Sequence, residues 1–277
     1  MSNDELLLGK ETQYVFEYDK SLIFPIARSA NRERLNMPET RVNGDLAFFG
    51  QDIWTGYELS WLNLKGKPQV AIAEFLIPAS STSIVESKSF KLYLNSFNNT
   101  KFDNIEDVKG LLQQDLSVGF GADIEVKLFA VNEFPVVNSF LGEGIDALDI
   151  DVTCFEPDAS ILVVSAQEKT STTLHSHLLK SNCPVTGQPD WATLVIQYKG
   201  AEIDKASLLK YIISYRNHDD FHEHCVEQIF CDLCQAGDFE ELVVTARYTR
   251  RGGLDINPAR SLRPLTPQNS IGRMARQ

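Results

Sequence analysis

The chain has 277 residues, 43% hydrophobic, 10% aromatic and 23% charged, which fits one large globular domain or two smaller ones. Its 38 acidic and 26 basic residues leave a net charge of -12, which argues against attraction to nucleic-acid phosphates or anionic lipid and favours a small-molecule partner. Five cysteines without regular spacing, a leading segment lacking a basic start, and no apolar run of spanning length predict a reduced, cytoplasmic protein without a membrane segment.

In chain order, the strand-like run QVAIAEFLIP (69–78) precedes SFKLYLNSFNN (89–99), where Phe90, Tyr93, Leu94 and Phe97 take the spacing of one helix face. An amphipathic segment, IEDVKGLLQQDL (105–116), comes next. In ADIEVKLFAV (122–131), Ile124, Val126, Leu128 and Ala130 then alternate with Asp123, Glu125, Lys127 and Phe129, as in a half-buried antiparallel strand. The same order returns in WATLVIQY (191–198), SLLKYIISYRN (207–217), HEHCVEQIFCDL (222–233) and ELVVTARYTR (241–250). At an offset of 118, Ser89 meets Ser207, Tyr93 meets Tyr211, Ser96 meets Ser214 and Asn99 meets Asn217. Agreement in residues and in element order predicts a tandem repeat, each unit running strand, strand, helix, helix, strand, strand. The expected class is α+β, with helices packed on one face of antiparallel sheets. A boundary in PVVNSFLGEGIDALDI (135–150), rich in glycine and proline, divides the chain into units 1–140 and 141–277.

Four segments carry candidate chemistry. In SNCPVTGQPD (181–190), turn-forming residues surround Cys183 and lead to Asp190 seven positions on. A thiolate is a strong nucleophile that needs a partner to move its proton, and the Pro-Gly-Pro segment can hold Cys183 exposed while folding Asp190 back towards it. The alternative is a surface loop with an idle thiol. In NHDDFHEHCVEQIFCDLC (217–234), a helix capped by Asp219 or Asp220 sets His222 and Glu223 in its first turn and Val226, Ile229, Phe230 and Leu233 on its buried face. His218, His222, His224 and Cys225 as zinc ligands, or core cysteines beside solvated histidines, are the competing readings; no standard zinc spacing with two separated cysteine pairs is present. In VESKSFK (85–91), Ser87 as a helix cap sets Lys88 and Lys91 beside N-H groups that favour a phosphate, or the segment is a solvated helix start. RYTRRGGLDINPARSLRP carries Arg247, Arg250, Arg251, Arg260 and Arg263 around Gly252 and Gly253, suiting a phosphorylated ligand, or is a basic strand and tail.

Taken together, these segments resemble the NADPH-dependent nitrile reductase family of queuosine biosynthesis, QueF. The family's Glu-Ser-Lys-Ser-Phe-Lys signature stands here from Glu86, its cysteine and aspartate have the spacing of Cys183 and Asp190, and its Phe-His-Glu motif is Phe221, His222, Glu223. The N-terminal YDKSLIFPIARSANR matches as well. The resemblance implies the long form, two tandem tunnelling-fold (T-fold) units in a homodimer. It implies reduction of the nitrile of 7-cyano-7-deazaguanine by two NADPH, through a covalent thioimide on Cys183, with Asp190 as proton donor and His222 assisting. It further implies a base site of Val85, Glu86, Ser87, Phe221, His222 and Glu223, phosphate contacts from Ser87, Lys88, Arg251 and Gly252, no metal and no direct nucleic-acid partner. The Gly-x-Gly-x-x-Gly fingerprint of a Rossmann fold is missing from the sequence, so the cofactor must bind by another route. Rival readings are a zinc-dependent pterin cyclohydrolase of the same fold and a non-catalytic purine-binding module.

Overall fold

The computed structural model describes residues 14–137 and 142–277. In chain order the elements are β1 (Pro25–Ala27), α1 (Ser29–Arg32), β2 (Phe49–Asn63), β3 (Pro68–Pro78), β4 (Ser83–Val85), α2 (Ser87–Asn95), β5 (Lys101–Phe102), α3 (Ile105–Phe120) and β6 (Glu125–Phe129). They continue with β7 (Glu143–Gly144), β8 (Val164–Asn182), β9 (Pro189–Ile203), α4 (Lys205–Ser214), α5 (His222–Ala236), β10 (Phe239–Tyr248) and β11 (Leu254–Ser261). The class is α+β with mostly antiparallel pairing, as expected. Two compact units are present, one of residues 14–30, 52–135 and 250–256 and the other of the remaining described residues. The boundary expected between 140 and 141 meets residues 138–141, so it lies outside the described residues. No helix among the described residues is long and apolar enough to cross a membrane.

In the first unit, β3 lies between β2 and β6, with Ile72 opposite Phe129 and Leu76 opposite Glu125, while β1 and β4 form a separate antiparallel pair. The apolar face of α2 explains its placement: Phe90 and Tyr93 are fully buried, as is Phe97 just beyond the helix, and Phe90 meets Trp54 edge-on at 4.9 Å and Phe75 at 5.1 Å. Burying such rings supplies most of the energy that docks a short helix. The α3 helix starts on Asn104, whose side chain accepts from Asp107 N, and stops at Gly121 in the left-handed region at φ +66°. A Cβ there would lie 2.1 Å from Thr82 Oγ1, so both conformation and space call for glycine.

In the second unit, β9 pairs antiparallel with β8 on one side and β10 on the other, and β10 pairs with β11. The predicted stripe of α5 is the observed one, since Val226, Ile229, Phe230 and Leu233 are all fully buried.

The repeat extends to hydrogen bonds. Glu86 caps α2 by accepting from Ser89 N at 2.6 Å, and Asp204, 118 residues on, caps α4 by accepting from Ser207 N at 2.7 Å. Ser89 Oγ and Ser207 Oγ each donate to the cap carbonyl at 2.8 Å. Tyr93 donates its hydroxyl to Asp115 at 2.8 Å, as Tyr211 does to Asp232 at 2.6 Å. Ahead of these helices, Asp19 and Asp158 each cap a 3-10 turn through the backbone N-H and hydroxyl of the serine two residues on. Polar bonds of this kind depend on geometry more than on volume, so their recurrence is stronger evidence of one duplicated unit than the apolar match alone.

Candidate active site

The Cys183 segment is the tight connection between β8 and β9. Cys183 N donates to Gln188 O and Gly187 N to Cys183 O, both at 2.9 Å, with Gly187 left-handed at φ +67°. The register sets Ser181 opposite Asp190 and Asn182 opposite Pro189. Because side chains alternate across a strand pair, Ser181, Cys183 and Asp190 share one face of the hairpin. Burial agrees: these three are buried, whereas Gln188 and Pro189 are exposed. The sequence expectation of an exposed thiol is corrected here, for Cys183 is only 6% exposed. The turn residues point outward and carry the thiol inward.

Asp190 is 3% exposed, and its Oδ2 lies 3.1 Å from His222 Nε2. His222 opens α5, and Glu223, 1% exposed, follows in the same turn. The expected cap is also corrected. Phe221 is the N-cap and makes no side-chain cap bond. Asp220 instead stands just ahead of it, accepting from Phe221 N at 2.7 Å and pairing with His224 Nδ1 at 3.2 Å and His218 Nε2 at 3.6 Å. Burial alone raises the Asp220 pKa, but the bonds from His218, His224 and Phe221 N outweigh it and hold the carboxyl well below its ordinary range. The segment is tied to the thiol hairpin through Asn182, whose N donates to His218 O at 2.8 Å, whose O accepts from Asp220 N at 3.1 Å, and whose Nδ2 donates to Asp219 at 2.9 Å. The Cys183 turn and the His-Glu turn are thus held in mutual register by backbone bonds.

The four residues weighed as zinc ligands do not converge. His222 faces Asp190, His218 and His224 share Asp220, and Cys225 is fully buried with its thiol pKa pushed well up by burial and by Asp220. Among the described residues no group of three or more His, Cys, Asp and Glu side chains is disposed to hold a metal. Cys231 is buried and Cys234 half-buried, and burial raises both thiols, that of Cys234 to about 12, which keeps them protonated at neutral pH.

In the first unit, Val85 is a core residue at the end of β4. Glu86, not Ser87, caps α2, its carboxylate accepting from Lys88 N at 2.9 Å and from Ser89 N. The carboxylate itself is therefore the anion at this helix N-terminus, and the conflict between Lys88 and the helix dipole is offset within the chain. A cavity of about 480 Å³ is lined by Lys88, Lys91, Asn95, Glu58, Gly252 and Gly253, among others. Gly252 and Gly253, at φ +55° and +72°, form the two-residue turn closed by Arg251 N to Leu254 O at 2.9 Å. Ser87 and Arg251 adjoin Lys88 and Gly252 in the chain. The arginine-rich segment is not one basic patch: Arg247 and Arg260 are buried, Arg260 on Glu227 at 2.8 Å, while Arg250 stacks on Tyr57 with its guanidinium 4.6 Å from the ring centre. Arg247 stands on β10, Arg250 in the turn that follows and Arg260 on β11, so closeness in sequence does not pool their charge.

Sequence reasoning missed Asn182, Asp220's clasp and Tyr248, which stacks on His222. No local spacing marks Tyr248, because strand pairing rather than periodicity brings β10 beside Asp190.

Comparison with known proteins agrees over nearly the whole length. Residues 14–128 match the family model described as "Nitrile reductase, 7-cyano-7-deazaguanine-reductase N-term", and residues 189–264 match "QueF-like protein". The chain is similar to the NADPH-dependent 7-cyano-7-deazaguanine reductases of Bordetella avium (53% identity over 92% of each chain), Paraburkholderia phytofirmans (51% over 100% of each) and Hahella chejuensis (52% over 95% of each). With half its residues shared end to end, this chain belongs to the QueF family, the NADPH-dependent 7-cyano-7-deazaguanine reductases.

Proposed function

We propose that this chain reduces the nitrile of 7-cyano-7-deazaguanine to the aminomethyl product in queuosine biosynthesis, using two NADPH. The observation that carries the proposal is the buried hairpin face on which Cys183 and Asp190 stand together, with His222 3.1 Å from Asp190. The Cys183 thiol adds across the carbon–nitrogen triple bond: sulfur bonds to carbon, and Asp190 delivers a proton to nitrogen as negative charge develops there. The product of this step is a thioimide, whose carbon is a better hydride acceptor than that of the nitrile. His222 reloads Asp190 with the proton given up by the thiol. NADPH supplies one hydride in each of two rounds. After the first, the carbon–sulfur bond breaks, the thiolate leaves and takes a proton from Asp190, and an imine remains for the second; solvent supplies one proton per hydride, restoring the acid form of Asp190 and protonating the amine nitrogen. Glu223, buried in the first turn of α5, is proposed to accept the paired N-H donors of the guanine-like edge, and Phe221 to stack on the base; Val85, Glu86 and Ser87, at the start of α2, are proposed as further substrate contacts.

The donor set suits a dinucleotide phosphate. Lys88 and Lys91 bring two ammonium groups, and Gly252, at φ +55°, holds the left-handed turn beside them that favours glycine. Glu58 in the same lining opposes an anion, and the two cations outnumber it. Ser87, Lys88, Arg251 and Gly252 are the proposed phosphate contacts. We read the units as T-fold units and the working protein as a cytoplasmic homodimer, which sedimentation equilibrium tests.

Intact-mass measurement tests the chemistry. Protein mixed with 7-cyano-7-deazaguanine, without NADPH, is expected to gain the mass of one substrate, and Cys183→Ala to gain none. An adduct that survives Cys183→Ala refutes the mechanism, and consumption of other than about two NADPH per nitrile refutes the stoichiometry.

A further inference from the structure

The imidazole of His222 lies flat on the ring of Tyr248, with centroids 3.7 Å apart and planes 2° from parallel. In that plane its Nε2 meets Asp190 Oδ2 at 3.1 Å. Imidazole χ2 is a soft torsion, and His222 Nδ1 is buried without a hydrogen-bond partner among the described residues, so the second ring nitrogen offers no anchor. The stack sets the ring plane, and the Asp190 contact sets its rotation within it. Tyr248 is rigidly placed for this: it is fully buried, its N-H donates to Asn257 Oδ1 at 3.1 Å, and it stands opposite Ala192, two residues beyond Asp190 on the paired strand. One strand pair thus supplies both the stacking ring and the carboxylate. Burial first, then the neighbouring Cys225 and Asp190 charges, push the Tyr248 phenol far above its ordinary pKa, so the stacking ring stays neutral in the proton path.

We infer that Tyr248 is a positioning residue for His222, holding the imidazole in the plane from which it exchanges a proton with Asp190. The inference rests on the proton-delivery role proposed above for that pair. It is tested in the full-length protein with Tyr248→Phe, Tyr248→Leu, His222→Ala and the Tyr248→Leu, His222→Ala double variant, comparing NADPH oxidation with adduct formation by mass. Tyr248→Phe keeps the ring and is expected to hold kcat within about threefold, while Tyr248→Leu lowers kcat by about tenfold or more with KM for the base within about threefold. In the His222→Ala background the Leu change is expected to cost less than about twofold further, because effects routed through a shared group do not add. Equal losses for Phe and Leu would assign the effect to the hydroxyl and overturn the inference, as would an undiminished Leu effect without His222. If Tyr248→Leu does not fold, Tyr248→Phe decides: retained kcat supports the stack and a loss of about tenfold overturns it. An unaltered protein that forms no adduct and oxidises no NADPH is a separate result, and it removes the proposed function with the inference.

Discussion

Asp190 and Glu86 show how bonding partners separate two roles open to a buried carboxylate. Glu86 has both oxygens committed to backbone N-H groups of α2, at 2.9 and 2.6 Å, and so holds the helix start. Asp190 faces an imidazole on the inner side of a hairpin and so has a partner with which to exchange a proton. Asp190→Asn keeps the shape but carries no acid proton. Adduct formation in this variant is expected to slow by about 10²- to 10⁴-fold, the usual range for general acid catalysis, while affinity for the base is retained. Rapid-mixing measurement of the Cys183 adduct checks this, and unchanged kinetics would remove Asp190 from the proton-donor role. Cys183, Asp190, His222 and Glu223 stand out in the sequence as candidates because each lies in a short motif. The role of Glu86 as cap was not: serine is the commoner cap residue, and only the fold shows the longer carboxylate spanning two N-H groups.

At the scale of elements, the site depends on how α5 begins. Its N-cap makes no side-chain bond, and the Asp220 clasp supplies the missing order from outside the helix. The periodicity that predicted α5 reports only the buried stripe, so it located the helix body but attributed to Asp219 or Asp220 an ordinary cap. Asp220's folded pKa is depressed, so its stabilisation is fully present above the unfolded carboxylate pKa of about 4 and is lost as the pH falls below that value. Asp220→Asn retains an acceptor but not the charge, and is expected to cost about 1.5–3 kcal/mol at neutral pH, the worth of hydrogen bonds to a charged group. Urea unfolding across a pH series is the measurement. The gap between the two proteins should narrow towards about pH 3, where both side chains are largely uncharged in the unfolded chain. A gap that stays constant would mean that the Asp220 charge does not secure the start of α5.

For the whole molecule, the hydrogen bonds that recur in the two units differ in one instructive detail. Asp115 receives two hydroxyls on the same oxygen, from Tyr18 at 2.7 Å and Tyr93 at 2.8 Å. Asp232 receives one, from Tyr211 at 2.6 Å, and Tyr215 meets the Tyr211 hydroxyl at 2.9 Å rather than the carboxylate. The apolar repeat was visible in the sequence because helical spacing survives divergence. This difference was not, because Tyr18 lies 97 residues from Asp115 and no periodicity links them. Desolvation already raises the Asp232 pKa, and the Tyr211 bond works against that rise. Removing the Tyr211 hydroxyl therefore leaves a buried carboxylate and a buried Tyr215 hydroxyl both short of a partner, whereas removing that of Tyr93 leaves Asp115 with Tyr18. Tyr211→Phe is accordingly expected to cost about 2–3 kcal/mol and Tyr93→Phe about 1 kcal/mol. Because the two sites lie in different units and share no partner, the double variant should lose the sum within about 0.5 kcal/mol. Chemical unfolding of the three variants measures all of this. Equal costs would show that the second hydroxyl on Asp115 contributes nothing, and a marked departure from additivity would show that the two halves of the repeat are energetically coupled.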